Sequence, residues 1–307
     1  MNSVQIAVDV KKIELMCVFI IIKNIIMKTI LVPTDFSSNA NNALKYANAF
    51  ARAANHKILL LHTYIPILGS YNRIYDVIAE ENVRIKKEIH KNLDDLCKKY
   101  VDVSCQNLAT VGDPIDTILD VSIKAKVDLI IMGTHGASGL RQILFGSNTV
   151  GIISQSTIPV LAVPQDYSFS KIDTIVYASD LKNTFNELKH IIPIAKQLDA
   201  TIEILNLNYE YNNTDDERQT IQKKIKSLSY KKIKFIEQIA ALDQTMADQI
   251  KNYLAEHKPQ ILVMFPEEKT WLSKIFIISN TKDVANQLKL PLLSIKKITV
   301  KQKDLTV

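Results

Sequence analysis

The chain has 307 residues, of which 47% are hydrophobic and 23% charged, and its formal net charge is +6. This composition excludes a disordered chain, and the length favours two domains of ordinary size over one. The positive charge is modest and its lysines are scattered rather than clustered beside aromatic residues, which argues against a nucleic-acid-binding protein.

The first 26 residues differ from the sequence that follows them. Residues 15–22 form an apolar run between lysines, but the run is too short to span a membrane and no small-residue cleavage site follows it. A strand pattern begins directly after Met27. We therefore predict that the first domain starts at residue 27 and that residues 1–26 are a disordered or non-native extension, with no membrane attachment.

Strand and helix patterns alternate through the first half of the chain. Apolar or alternating runs predict strands at residues 28–32, 58–64, 101–105, 127–132 and 159–163. Capping residues and helical spacing predict helices that begin at Ser37 or Ser38, near Asn72, at Asp113-Pro114 and near Ser147. Fully apolar strands that alternate with helices are typical of a parallel sheet covered on both faces.

Three cysteines occur in the chain, at positions 17, 97 and 105. No pair has the CxxC spacing, and no histidine lies at a metal-ligand spacing from them. We therefore expect no disulfide framework, no metal site and a reducing compartment such as the cytoplasm. Cys97 falls in a helical pattern and Cys105 in a strand pattern, and both are interpreted as packing residues.

The two halves of the chain repeat each other. Residues 132–159 align with residues 264–291 without a gap at a shift of 132 positions, and residues 30–35 align with residues 175–180 at a shift of 145. Because the shifts differ, the second copy is shorter in its middle. Its strands are predicted at residues 174–178, 201–207, 232–239, 260–265 and 292–295. The predicted domains are residues 27–166 and 171–297, followed by a tail at residues 298–307.

A glycine-rich segment carries the strongest chemical signal. Gly133-Thr134-His135-Gly136 follows a buried strand, and Gly146-Ser147 opens a helix after nine further residues. Glycines allow backbone N–H groups to approach an anion, and a helix N-terminus adds unsatisfied N–H groups; Ser147 and Thr149 can add hydroxyl donors. The segment is neither a Walker A loop nor a GxGxxG motif. It predicts a phosphate-binding site at the carboxyl edge of the sheet, the alternative being turn glycines without a ligand.

Together these motifs resemble the universal stress protein family. The spacing Gly-x₂-Gly-x₉-Gly-Ser after a strand ending in Met132 is similar to the ATP-binding signature of that family. Residues 30–37, 60–62 and 158–163 look like its first, second and last strands. The resemblance extends from residue 27 to about residue 297. It implies an α/β fold of two tandem doubly wound domains, each a five-stranded parallel sheet with helices on both faces, of the Rossmann-like or adenine nucleotide alpha hydrolase-like type.

The resemblance also implies which residues of the first domain bind a ligand. It places Pro33, Thr34 and Asp35 beside the adenine and the ribose. It also implies that Thr63 would contact the base through its backbone and that Met132 would line the pocket. By the same resemblance the ribose and phosphates would be held by Gly133, Gly136, Gly146, Ser147, Asn148 and Thr149. His62, in contrast, is interpreted as a structural residue, and no residue is assigned to catalysis or to a metal.

The second domain departs from this pattern. Its counterparts of the glycines at positions 133, 136, 139 and 146 are Phe265, Glu268, Trp271 and Ile278. All seven glycines of the chain lie at or before Gly151, and Glu267 and Glu268 would repel phosphate. We therefore predict one nucleotide site per chain. The last strands of the two domains are expected to pair within the chain, and a further homodimer is left open.

No sequence constellation indicates strong catalysis, so the function implied by the resemblance is that of a cytoplasmic stress-response sensor or switch. It would bind ATP, or the related ADP or AMP, with or without Mg²⁺. Unknown protein partners would bind differently to the nucleotide-bound and nucleotide-free states. Two alternatives stay open. One is a slow ATPase or nucleotidyl-transfer enzyme. Such an enzyme would need a positioned metal ion and a base, and Asp35 is the obvious candidate for these roles. The other is an interaction module without a ligand.

Overall fold

The computed structural model describes residues 28–68, 75–134, 146–208, 215–241, 243–266 and 289–296. The strands of the first half are β1 (Lys28–Pro33), β2 (His56–Tyr64), β3 (Cys105–Val111), β4 (Leu129–Gly133) and β5 (Val160–Val163). Those of the second half are β6 (Thr174–Ala178), β7 (Thr201–Asn208), β8 (Ile233–Ile239), β9 (Ile261–Met264) and β10 (Leu292–Ser294). The helices are α1 (Ser38–Ala54), α2 (Tyr75–Tyr100), α3 (Pro114–Lys124), α4 (Ser147–Gln155), α5 (Thr184–Leu198), α6 (Asp215–Lys226) and α7 (Met246–His257).

All ten strands form one sheet in the order β3-β2-β1-β4-β5-β10-β9-β6-β7-β8. Neighbouring strands are parallel within each half, whereas β5 and β10 meet antiparallel, with Leu293 opposite Leu161. Each half thus contributes a five-stranded parallel sheet, as predicted. The halves pair through their last strands, so that the sheet continues from one into the other.

Helices cover both faces of this sheet and bury two apolar cores. One core lies under α1, α2, α5 and α6, and the other lies under α3, α4 and α7. Each core contains residues from both halves. The segment between β5 and β6 strengthens this connection: the ring of Phe169 packs 5.2 Å from that of Tyr46, and Asn42 Nδ2 donates to the carbonyl of Tyr167.

The helix starts follow the capping residues in the sequence. Ser37 Oγ accepts from the Ala40 amide at the start of α1, and Asp113 Oδ1 accepts from the Ile115 amide at the start of α3, where Pro114 occupies the first turn. Both starts confirm the predictions. An N-cap side chain satisfies amides that have no partner inside the helix, which is why Ser and Asp are favoured there.

The third strand begins later than the alternation at residues 101–105 predicted. The Val101 amide still donates to the carbonyl of Cys97, and the Asp102 amide donates to Asn48 Oδ1. These bonds hold residues 101–102 to the end of α2 and to α1, so that pairing with β2 starts only at Cys105, opposite Ile58. Val101 and Val103 pack against the core without joining the sheet.

A disulfide joins Cys97 to Cys105, which corrects two predictions: that the chain has no disulfide and that these cysteines are packing residues only. The cysteines therefore no longer argue for a reducing compartment. Cys97 lies in the last turn of α2 and Cys105 is the first residue of β3. The chain reverses between them and brings their Cα atoms to 6.1 Å, within the range that a disulfide requires. The sequence does not indicate this disulfide, because the two cysteines are brought together by a chain reversal and have no characteristic short spacing. Cys17 lies outside the described residues.

The N-terminal prediction is not tested, because residues 1–27 lie outside the described part of the chain. Within the described residues, every helix is too short or too polar to cross a bilayer.

Candidate functional site

A cavity of about 330 Å³ opens at the carboxyl edge of the first half of the sheet. The structure brings together there almost all the residues predicted to bind a ligand: Pro33, Thr34, Asp35, Thr63, Met132, Gly133, Gly146, Ser147, Asn148 and Thr149. These residues come from β1, β2, β4 and the start of α4, which lie far apart in the sequence. Gly136 and its neighbour His135 lie outside the described residues.

The turn between β1 and α1 holds Asp35 at the cavity. Phe36 adopts a left-handed backbone with φ of 64°, which is unusual for a residue other than glycine. Two short bonds fix this turn: the Phe36 amide donates to Thr34 Oγ1 at 3.0 Å, and the Ser37 amide donates to Asp35 Oδ1 at 3.0 Å. The Thr34 amide also donates to the carbonyl of Leu61 on β2, which ties the turn to the sheet.

The N-terminus of α4 also lines the cavity. Its cap is Gly146, which makes no side-chain capping bond, and Ser147 and Asn148 are exposed in its first turn. The first amides of a helix have no partner within it and carry partial positive charge, so this end suits an anion. The Thr149 hydroxyl, expected to be a ligand donor, donates instead to the buried carbonyl of Gly133 at 2.9 Å. It therefore anchors the helix to the end of β4.

Gly133 lines the cavity and also leaves room for the side chain of Asn39 in α1. A Cβ atom at this position would lie 2.8 Å from Cγ of Asn39, which is 3% exposed in the first turn of α1. Real Cβ contacts are not that short, so any side chain at position 133 must displace Asn39. The glycine at the end of β4 is thus required by packing between α1 and the sheet.

We expect Gly133→Ala to lower the free energy of unfolding by about 1–3 kcal/mol, because it overpacks a buried site. Denaturant unfolding would measure this loss. The matched test is a double-mutant cycle with Asn39→Ala, which removes the side chain that the new methyl group meets. The combined variant should be less destabilised than the sum of the two single variants. Simple additivity would contradict the steric explanation.

Several residues of the cavity wall were not predicted from the sequence. Pro114 and Ile118 reach it from the start of α3, and Ala40, Leu61 and His62 complete it. The Asp113-Pro114 helix start was recognised as a local feature, but only the strand order places it at this edge. His62 does have the structural role expected of it, since its Nδ1–H donates to the carbonyl of Thr34 at 2.8 Å, yet it also lines the cavity.

The counterpart of Gly133 in the second half is a buried aromatic residue. Phe265 stands where the first half has Gly133; it is 7% exposed and its ring packs edge-on against Tyr177 at 5.6 Å. The Tyr177 hydroxyl donates to Glu187, which lies beneath it in α5. Burial, together with the charge and the hydrogen bond of Glu187, raises the pKa of Tyr177 well above its ordinary value. Residues 267–288, including Glu268, Trp271 and Ile278, lie outside the described residues.

The acidic, histidine and cysteine side chains give no support for a metal site. Across the ranges that the structure describes, no three of them approach one another closely enough to hold an ion. The lining of the cavity combines Asp35, the first turn of α4 and the apolar side chains of Leu61, Ile118 and Met132.

Comparison with known proteins agrees with this architecture. The model of the universal stress protein family matches residues 27–164. The universal stress protein MJ0577 of Methanocaldococcus jannaschii is 30% identical over 161 residues, which cover 47% of this chain and 99% of that protein. The universal stress protein MJ0531 of the same organism is 29% identical over 143 residues, covering 44% of this chain and 81% of that protein.

A solved structure resembles nearly the whole fold. The crystal structure of a universal stress protein from Archaeoglobus fulgidus DSM 4304 covers 87% of this chain and 98% of its own, with a TM-score of 0.63 at 19% sequence identity. That likeness concerns the fold alone, whereas each of the two sequence relatives matches less than half of this chain. From the sequence matches and the fold together, the chain belongs to the universal stress protein family.

Proposed function

We propose that the first half binds an adenine nucleotide in the cavity at the carboxyl edge of its sheet, and that the chain acts as a cytoplasmic stress-response sensor or switch. The observation that carries this proposal is the meeting of the Asp35 turn with the N-terminus of α4 across one cavity. A nucleotide presents hydroxyl groups at its ribose and anionic oxygens at its phosphates. The carboxylate suits the first and the helix amides suit the second.

The dimensions and lining of the cavity are consistent with such a ligand. Its volume of about 330 Å³ lies at the lower end of the range for small-molecule sites. Leu61, Ile118 and Met132 provide apolar surface on which a base can lie, with Thr63 at the end of β2 offering its backbone. In this proposal Pro33 and Thr34 flank the base and ribose, and Gly133, Gly136, Gly146, Ser147, Asn148 and Thr149 surround the phosphates.

The second half acts in this proposal as a structural partner without a nucleotide site of its own. Phe265 occupies the position that corresponds to Gly133 at the end of β4, and it is buried beside Tyr177. A backbone that carries this side chain cannot approach an anion as a glycine can. One site per chain is therefore proposed. A homodimer of chains is a further proposal, and its interface would have to lie outside β5 and β10, since these strands already pair with each other.

Isothermal titration of ATP with Mg²⁺ into the purified chain, with AMP as the comparison ligand, tests this proposal. We expect saturation at one site per chain. Two sites would contradict the account of the second half. No heat, together with no competition against a fluorescent ATP analogue, would favour an interaction module without a ligand. Phosphate release in the same samples distinguishes binding from slow hydrolysis of ATP.

A further inference from the structure

One hydrogen bond links His62 to the turn that carries Asp35. The Nδ1–H group of His62 donates to the carbonyl of Thr34 at 2.8 Å, and the imidazole ring packs 4.4 Å from the ring of Phe36. Thr34 directly precedes Asp35, so this bond holds the peptide plane to which Asp35 is attached. Because Nδ1 carries the proton in this bond, the ring contributes a side-chain donor to a backbone carbonyl at the edge of the cavity.

The second half contains the same bond made by a different side chain. Ile30 pairs with Ile58 in the first half and Ile175 with Ile202 in the second, and this register makes Asn206 the counterpart of His62. Asn206 Nδ2 donates to the carbonyl of Ser179, the counterpart of Thr34, at 3.0 Å. A histidine and an asparagine share neither shape nor size. What they share is a donor at this place.

The turns that these donors hold are also alike. Leu181 has φ of 67°, close to the 64° of Phe36. Its amide donates to Ser179 Oγ at 3.1 Å, and the Lys182 amide donates to Asp180 Oδ1 at 3.1 Å, as the corresponding amides do in the first half. A left-handed residue other than glycine costs free energy and persists only when its surroundings hold it there. The donor on the second strand is part of what holds this turn in each half.

The two donor side chains differ in their surroundings. Asn206 is buried, with 2% of its surface exposed, whereas His62 is only partly buried and lines the cavity. We propose that His62 is a positioning residue of the nucleotide site: through the Thr34 carbonyl it holds Asp35 in the orientation that meets the ligand. This inference rests on the proposed function. Its physical basis is preorganisation, since a turn that is already fixed loses less conformational freedom when the ligand binds.

The test compares two substitutions of the same residue. His62→Asn keeps a donor, as Asn206 does, while His62→Leu removes it and keeps a side chain of similar bulk. In titrations with ATP and Mg²⁺ we expect His62→Leu to raise the dissociation constant about tenfold or more and His62→Asn to raise it less than about threefold, on the order of the loss of one hydrogen bond. If leucine prevents folding, His62→Ala removes the same donor and carries the same expectation.

Asn206→Leu is the matched control, because it removes the equivalent bond from the half without a proposed site. We expect it to lower the thermal midpoint about as much as His62→Leu and to leave the ATP dissociation constant unchanged. Equal ATP binding by wild type and His62→Leu would overturn the inference, as would an equal loss for His62→Asn and His62→Leu, or a loss for Asn206→Leu. Absence of ATP binding by the wild type would overturn the proposed function and this inference with it.

Discussion

Replacing Gly146 by aspartate is expected to weaken ATP binding about 100-fold or more and to leave the fold as stable as before. Gly146 caps α4 with an extended backbone, φ of −62° and ψ of 157°, which any residue can adopt. Aspartate is among the preferred capping residues, so the helix should gain rather than lose stability. Its carboxylate, however, would take the helix amides proposed for phosphate. It would also repel that group by about 4 kcal/mol at 4 Å for an effective dielectric constant of about 20.

Gly146→Asn separates charge from capping. Asparagine has nearly the same shape and is an equally good cap, but it is neutral. We expect it to weaken ATP binding about tenfold at most, because its side chain competes for the amides without repelling phosphate. Titration gives the affinities and thermal unfolding confirms that both variants fold. Equal losses for the two variants would mean that charge at this position is irrelevant, and no loss in either would place the phosphates elsewhere.

Local features were predictable because their causes are local. Ser37 and Asp113 cap their helices as the sequence indicates, since a cap depends on amides within three residues. Gly133 and Gly146, the glycines of the pattern that the structure describes, line the cavity, because the end of a parallel strand and the start of the following helix lie at the same edge of the sheet. The left-handed turn at Phe36 was not predicted. No glycine marks it, and the bonds that Thr34 Oγ1 and Asp35 Oδ1 accept from the Phe36 and Ser37 amides form only in the folded turn.

Features that depend on distant parts of the chain escaped prediction. The Cys97–Cys105 bond requires the reversal between α2 and β3, and the double role of His62 requires β1 and β2 to be adjacent in the sheet. The role of the Thr149 hydroxyl was also not predictable from the sequence. Its position in the cavity was expected, but only the structure shows that its hydroxyl is engaged by the carbonyl of Gly133.

The glycine losses of the second half illustrate how a sequence difference becomes a structural one. The absence of glycine after Gly151 predicted that the backbone there could not approach an anion as it does in the first half. In the structure, Phe265 goes further than removing a permissive residue, because its ring joins the core beside Tyr177. Restoring the glycine by the single substitution Phe265→Gly would therefore leave a void in the core rather than create a site. The two halves thus differ at this position in packing as well as in motif.

The junction of the two halves is buried, and a substitution there should destabilise the fold. Leu293 on β10 lies opposite Leu161 on β5, and each is 1% exposed. We expect Leu293→Ala to lower the free energy of unfolding by about 2–5 kcal/mol, the usual cost of removing a buried leucine side chain. Leu68→Ala is the matched control, because the same substitution at a side chain that is 85% exposed should change stability by less than about 0.5 kcal/mol.

The shape of the unfolding curve tests how far the halves depend on each other. Both apolar cores contain residues of both halves, so we expect one cooperative transition, and Leu293→Ala should shift the whole of it. Denaturant unfolding followed by the single tryptophan, Trp271, and by far-ultraviolet circular dichroism would detect any separation, since the tryptophan belongs to the second half. Two transitions, of which only the one reported by Trp271 shifts, would show that the first half is stable by itself. A single shifted transition would mean that the half without a proposed site is needed to stabilise the half that has one.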